Sequence, residues 1–175
     1  MPECVPQAVR EIMDLLHRHG FAPYLVGGCV RDLLRGVTPD DYDMTSDARP
    51  EEVMAIFGAS AHPTGLAHGT VTLVRGGLAV EHTTERCDGA YRDSRHPESV
   101  TFTKNIEEDL ARRDFTVNAI ALSPEGALVD PFGGREDLSA GVLRCVGAPE
   151  RRFAEDALRI LRLLRFASVL GFSVE

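Results

Sequence analysis

No apolar run in this 175-residue chain is long enough to cross a bilayer, and the N-terminus lacks the charged-then-apolar pattern of a secretory signal. Cysteine is sparse. Cys4, Cys29, Cys87 and Cys145 stand far apart with no CxxC pair. That spacing argues against a zinc site and gives no disulfide framework, so a reducing cytoplasm is the expectation. The six histidines show no metal-ligand spacing either, and there is no internal repeat or low-complexity segment. Positive charge is scarce as well: 19 Lys and Arg face 27 Asp and Glu, a net charge of −8. Such a balance is awkward for a partner with a polyphosphate backbone. The positive charge is concentrated, however. Arg151, Arg152, Arg159, Arg162 and Arg165 face only Glu155, Asp156 and Glu175 in the last 25 residues. With 43% hydrophobic and 26% charged residues, the chain has the composition of a globular protein with a core. Its length suits one domain, or one domain and part of another.

Residues 24–45, YLVGGCVRDLLRGVTPDDYDMT, carry the most information. Tyr24, Leu25 and Val26 read as a short buried strand, Gly27 and Gly28 end it, and residues 29–35 have helix composition. A strand–Gly-Gly–helix junction presents free backbone N–H groups and the positive end of a helix dipole, which suits an anion. Arg31, one turn in, adds a fork of donors for phosphate oxygens. Asp41-Tyr42-Asp43 follows, and in a strand both aspartates point to one side. Paired carboxylates repel unless a cation sits between them, and hard oxygen ligands suit magnesium. Alone, a Gly-Gly is a turn and a D-x-D a solvated strand end. In this order and spacing they predict nucleotide chemistry.

Apolar residues at Val9, Ile12, Met13, Leu15 and Leu16 predict a helix over 8–19, stopped at His19-Gly20. A second helix is expected over 50–57, with Pro at its first turn. Strands are expected over 70–74 and 78–84, joined at Gly76-Gly77. Residues 87–100 read as a polar loop. A further helical stretch starts near Ile106, and short strands are expected over 128–131 and 142–146. In the last 25 residues Phe153, Ala157, Ile160, Leu161, Leu164 and Ala167 share one helical face, while Leu163 and Phe166 break the division. That face predicts partners the chain does not supply, so the natural protein is expected to continue.

The pattern GG-x-VRD, spacer, D-x-D resembles the catalytic core of nucleotidyltransferases related to DNA polymerase β, in the branch of bacterial tRNA CCA-adding enzymes and poly(A) polymerases. Further motifs agree in order. Residues 111–122, ARRDFTVNAIAL, resemble the branch's RRDFT-x-NA motif. Arg113 has the chemistry for a triphosphate and Asp114 and Asn118 for a ribose hydroxyl, although a helix start capped by Asp114 is the alternative. The resemblance assigns Arg113 to the nucleotide. Residues 130–138 resemble DPFGG-x-x-DL, whose glycines are read as hinges between the head and the next domain. Glu155-Asp156-Ala157-Leu158-Arg159 resembles ED-x-x-R. Asp156 and Arg159, three apart on a helix, can pair with a base edge such as that of cytosine. The resemblance makes them a protein template that selects CTP and then ATP. Arg162 and Arg165 extend it as R-x-x-R-F, either near the nucleotide or as an ion-paired helix face. Glu81 stands where the family has a glutamate, as a third metal carboxylate or as structural support. His82 and Glu85 occupy positions commonly apolar or aromatic there.

The resemblance implies an α+β fold: a polymerase-β-like head with a small mixed sheet and flanking helices over 1–147, then the start of an all-helical neck over 148–175. It implies two Mg2+ ions on Asp41 and Asp43, Gly28 and Arg31 on the triphosphate, and the tRNA 3′ acceptor end, CTP and ATP as partners. Residues 64–72, TGLAHGTVT, and the loop over 90–102 resemble CCA-adding enzymes more than CC-adding or poly(A)-adding relatives, and an A-adding enzyme is a further alternative. Full CCA addition is therefore expected. A nucleotide-binding head without turnover is the alternative from another class.

Overall fold

A computed structural model describes residues 4–89, 91 and 99–175. Helix α1 (Gln7–Arg18) leads into strand β1 (Tyr24–Val26), helix α2 (Gly28–Leu34) and strand β2 (Tyr42–Ser46). Then come α3 (Pro50–Phe57), β3 (Ala61–Gly65), β4 (Thr70–Arg75), β5 (Leu78–Thr84), β6 (Arg86–Asp88) and β7 (Val100–Phe102). Next are α4 (Ile106–Ala111), β8 (Ala121–Leu122), β9 (Leu128–Val129), α5 (Gly134–Ala140) and β10 (Val142–Leu143). The chain closes with α6 (Pro149–Glu155), α7 (Leu158–Leu170) and β11 (Ser173–Val174).

Seven strands form one mixed sheet in the order β3-β4-β5-β2-β1-β8-β9, with β2 and β5 parallel and the other pairs antiparallel. Strand periodicity gives this sheet two unlike faces. Leu25, Tyr42, Met44, Val71, Leu73 and Val80 turn to one side and pack under α1 and α3. Val9, Ile12, Met13 and Leu16 of α1 meet them, fully buried at i, i+3, i+4 and i+7. At about 1.5–3 kcal/mol per fully buried aliphatic side chain, this contact is a main source of stability. Asp43, Glu81, Thr70 and Thr83 alternate with the core residues and therefore face the other way. Register places Asp43 beside Val26 on one neighbour and Glu81 on the other.

The C-terminal segment docks on the head through Phe115, Val117, Leu143 and Cys145, packed against Phe153, Leu163, Phe166, Ala167 and Leu170. This is not the expected arrangement. One continuous helix was the sequence expectation, but Asp156 is extended (φ −142°, ψ 106°) and separates α6 from α7. The break shifts the helical phase. Ile160, Leu161 and Leu164 of the predicted stripe are exposed, while Leu163 and Phe166 pack inward.

Three further expectations change. Asp41 lies in a bend before β2 rather than within the strand, so strand alternation does not align it with Asp43. Cys87, Asp88 and Val100, expected in a loop, pair in the β6–β7 hairpin. Residues 90 and 92–98 of that loop lie outside the described residues. Of the two glycines expected as hinges, Gly134 is close-packed: a Cβ on it would meet the Thr116 carbonyl oxygen at 2.2 Å and Ile120 at 2.8 Å, whereas a Cβ on Gly133 would meet open space. Asp130 accepts from the N–H groups of Gly134 and Arg135 at 2.7 and 2.9 Å, and Asp137 accepts from the Thr116 hydroxyl at 2.6 Å.

Candidate active site

β1 ends at Gly27, whose φ of +73° is a conformation that L side chains rarely adopt. Absence of a side chain also matters for space. A Cβ there would lie 3.3 Å from Nη1 of Arg113 and 3.6 Å from Oδ2 of Asp43, so these two groups converge on bare backbone. Arg31 folds back over Gly28. Its Nε and Nη2 donate to both oxygens of Asp32, at 2.9 and 2.8 Å, and its Nη1 donates to Asn118 Oδ1 at 3.0 Å. The fork anticipated for phosphate is thus partly neutralised by its own neighbour.

These groups open on a cavity of about 650 Å³. Gly28, Arg31, Asp41, Asp43, Arg113, Asp156, Arg159, Arg162 and Arg165 all line it, so the sequence-predicted residues other than Glu81 come together from four stretches of chain. Glu81 instead lines a second cavity of about 200 Å³, which shares Asp43 and Arg113 with the first. Among the described residues, no group of three His, Cys, Asp or Glu side chains is placed to hold a metal ion. Asp41 and Asp43 converge as a pair, without Glu81 completing a triad.

Electrostatics separate the carboxylates. Asp43 reaches the cavity surface, yet the surrounding protein desolvates it and raises its pKa; Arg113 lowers it, Asp41 raises it and Arg162 lowers it. Glu81 is also raised, first by desolvation and then by Asp43. Asp109, fully buried at the end of α4, behaves oppositely. Burial raises it, but Arg112, Arg113 and the Arg86 N–H outweigh that and hold it below the usual carboxylate range. Its contacts with Arg112 (2.9 Å) and Arg113 (3.1 Å) aim both arginines from below.

The helical premise for the base-reading pair does not hold. Asp156 sits in the break between helices, and its Oδ1 accepts from the Leu158 N–H at 2.9 Å, which starts α7. Arg159 is 7% exposed and is held by Glu155 (2.8 Å) and the carbonyls of Arg152 and Arg112 (both 3.1 Å). The two still line one wall. Asp114 does not cap a helix: it accepts from the Phe115 N–H at 2.9 Å and from Arg162 Nε at 2.6 Å. Arg162 therefore spans from α7 to the head. Sequence reasoning missed Arg112 and Phe166 as cavity residues. The arginine pair at 112–113 and the phenylalanine of R-x-x-R-F were the available signals.

Comparison with known proteins identifies the family. The poly(A) polymerase head domain family matches residues 23–144. The CCA-adding enzyme of Geobacillus thermodenitrificans is 53% identical over 163 residues, 93% of this chain and 40% of that protein. Its Geobacillus stearothermophilus counterpart is 52% identical over the same length. The crystal structure of the Bacillus stearothermophilus CCA-adding enzyme in complex with CTP superposes with a TM-score of 0.90 at 46% identity, covering all of this chain and 42% of that one. A tRNA nucleotidyltransferase complexed with a primer tRNA and an incoming ATP analogue gives 0.73 at 36% identity, covering 94% of this chain and 46% of that one. The chain spans about two-fifths of the length of the curated relatives it matches. No helix among the described residues is long and apolar enough to cross a membrane.

Proposed function

Because this chain belongs to the poly(A) polymerase head domain family, we propose that it is the nucleotide-handling part of a tRNA nucleotidyltransferase that adds CCA to the tRNA 3′ end from CTP and ATP. One observation carries the reading: two aspartates converge with Arg113, Arg162, Asp156 and Arg159 on a single cavity beside the bare backbone of Gly27 and Gly28. The CTP complex of the relative with TM-score 0.90 supports the substrate class.

Asp41 and Asp43 fit a hard divalent cation. Desolvation and the neighbouring Asp41 charge raise Asp43, which is the cost a cation between the two would relieve. Two magnesium ions bound there would lower the pKa of the RNA 3′-hydroxyl and steady the departing pyrophosphate. The protein's own contribution is placement. Gly27 and Gly28 let phosphate oxygens approach the backbone, and Arg31, Arg113, Arg162 and Arg165 offset the triphosphate charge. Asp156 and Arg159 offer an acceptor and donors to the base edge. Attack at the α-phosphate lengthens the RNA by one nucleotide and releases pyrophosphate, with positioning and charge neutralisation doing most of the catalysis. Glu81 stands at the far side of Asp43 as a supporting carboxylate, and residues 148–175 are the start of a neck that carries the base-reading pair.

The test is incorporation of labelled CTP and ATP into tRNA ending before C, C or A, with magnesium. Addition of CCA is expected, and Asp41→Ala or Asp43→Ala abolishes it while circular dichroism stays unchanged. Wild-type rates in either variant would refute the metal assignment. Addition of CC alone or of long A tails would move the specificity. A chain that binds CTP without turnover would make it a nucleotide-binding head whose chemistry needs the rest of the length its relatives have.

A further inference from the structure

One wall of the cavity is an aromatic ring to which the reaction above gives no task. Phe166 is half-buried and lines the cavity from α7. Arg162 and Arg31 both lie over the ring, with Cζ 5.2 Å and 5.4 Å from its centroid. Phe115, fully buried, meets it edge-on at 5.9 Å and 89°. That T-shaped contact fixes how the ring faces the arginines.

The two arginines come from distant parts of the chain and are tied unequally: Arg31 donates through Nε, Nη1 and Nη2, and Arg162 through Nε. Asp32 and Asn118 hold Arg31, and Asp114 holds Arg162. Like charges sharing a wall repel, and the negative face of an aromatic ring offsets that repulsion. A leucine at this position would fill similar space without providing such a face.

We infer that Phe166 is a positioning residue for the nucleotide's triphosphate, holding the Arg31 and Arg162 guanidiniums in place through its ring face while Phe115 locks the ring. This rests on the nucleotidyl-transfer reading of the same cavity. It gives the phenylalanine of R-x-x-R-F a task distinct from the core packing a helix would ask of it.

The experiment is calorimetric titration of the chain with CTP and, separately, with inorganic tripolyphosphate, for wild type, Phe166→Leu and Phe166→Tyr, each melted first to fix its folded fraction. Phe166→Leu weakens both probes by roughly five- to thirty-fold, the factor that two modest cation–π contacts give. Phe166→Tyr, which keeps the ring, stays within about twofold of wild type. Unchanged affinity of Phe166→Leu for both probes would overturn the inference alone. Loss of CTP with tripolyphosphate retained would also overturn it, making the ring a platform for the base. Failure of a folded Phe166→Tyr to bind would reduce Phe166 to packing. Wild type binding neither probe would overturn the nucleotide reading itself.

Discussion

Glu85 is 1% exposed, and burial, reinforced by Asp109 and then Asp47, pushes its carboxyl up to about 8. His82, two strand positions from Thr84 and fully buried against the Ser46 hydroxyl at 2.7 Å, is pushed down by burial to about 4. The signs are opposite. The native chain keeps the Glu85 proton between pH 4.5 and 8 while the unfolded chain releases it. That contribution to stability is therefore full at low pH and lost as pH rises through 8. For His82 the unfolded chain takes up the proton below pH 6.5, so its contribution is present above 6.5 and lost as pH falls towards 4. Of these two groups, only Glu85 acts above pH 6.5. Glu85→Gln should flatten the fall in melting temperature between pH 6.5 and 8.5 and raise the melting temperature at the upper end. Thermal melts at three pH values decide it, and an undiminished fall in the variant would acquit Glu85. The sequence marked both positions as departures from an apolar pattern. It could not tell that both side chains would be buried inside the sheet region, because burial depends on which strand faces they join.

At the scale of elements, α5 shows how tightly the segment over 130–138 is built. Its first residue is Gly134, pressed on the Thr116 carbonyl oxygen, and Asp130 and Asp137 clamp it from either side. Backbone cannot yield to a methyl at 2.2 Å, so Gly134→Ala should cost at least the upper part of the usual overpacking range, roughly 2–3 kcal/mol. For a chain of this length that is a drop of about 4–12 °C in melting temperature. An unshifted melting curve would show a looser joint. Asp156 joins two elements and two tasks. Asp156→Ala removes the cap of α7, worth about 1 kcal/mol, and removes the acceptor proposed for the base. Discrimination between CTP and other nucleotides should loosen in competition assays. A melting shift with unchanged selectivity would leave it a cap only. Elements with a local signature were readable: β1, α2 and α3 match their expected ranges closely, because Gly27-Gly28 and Pro50 punctuate the chain. β3 was missed because Ala61-His62-Pro63-Thr64-Gly65 has little strand chemistry and pairs only at the sheet edge. The α6–α7 break was missed because Glu155-Asp156-Ala157-Leu158 reads as helix throughout, and only docking on Phe115 and Leu143 makes the turn worthwhile.

For the whole molecule the question is how a chain of net charge −8 would hold RNA. The sequence located the arginines that line the cavity, Arg112 excepted, but not their company. Arg31 pairs with Asp32, Arg112 and Arg113 with Asp109, Arg159 with Glu155 and Arg162 with Asp114. A paired arginine neutralises less phosphate charge and so releases fewer of the RNA's condensed counterions, and its carboxylate partner repels phosphate. The cavity is therefore suited to one triphosphate inside it rather than to a long polyanion laid across the surface. Binding of tRNA by this chain should consequently depend weakly on salt. A protein making 6–10 phosphate contacts loses about 10³–10⁵ in affinity between 50 and 200 mM salt. Two contacts at a slope of about 0.7 per phosphate would lose only about sevenfold over the same fourfold rise. Filter binding of labelled tRNA at four salt concentrations in that range measures the slope directly. A loss under about tenfold fits this charge distribution. A loss beyond a thousandfold would mean that the paired arginines exchange their carboxylates for RNA phosphates, and that the cavity mouth is a polynucleotide surface after all.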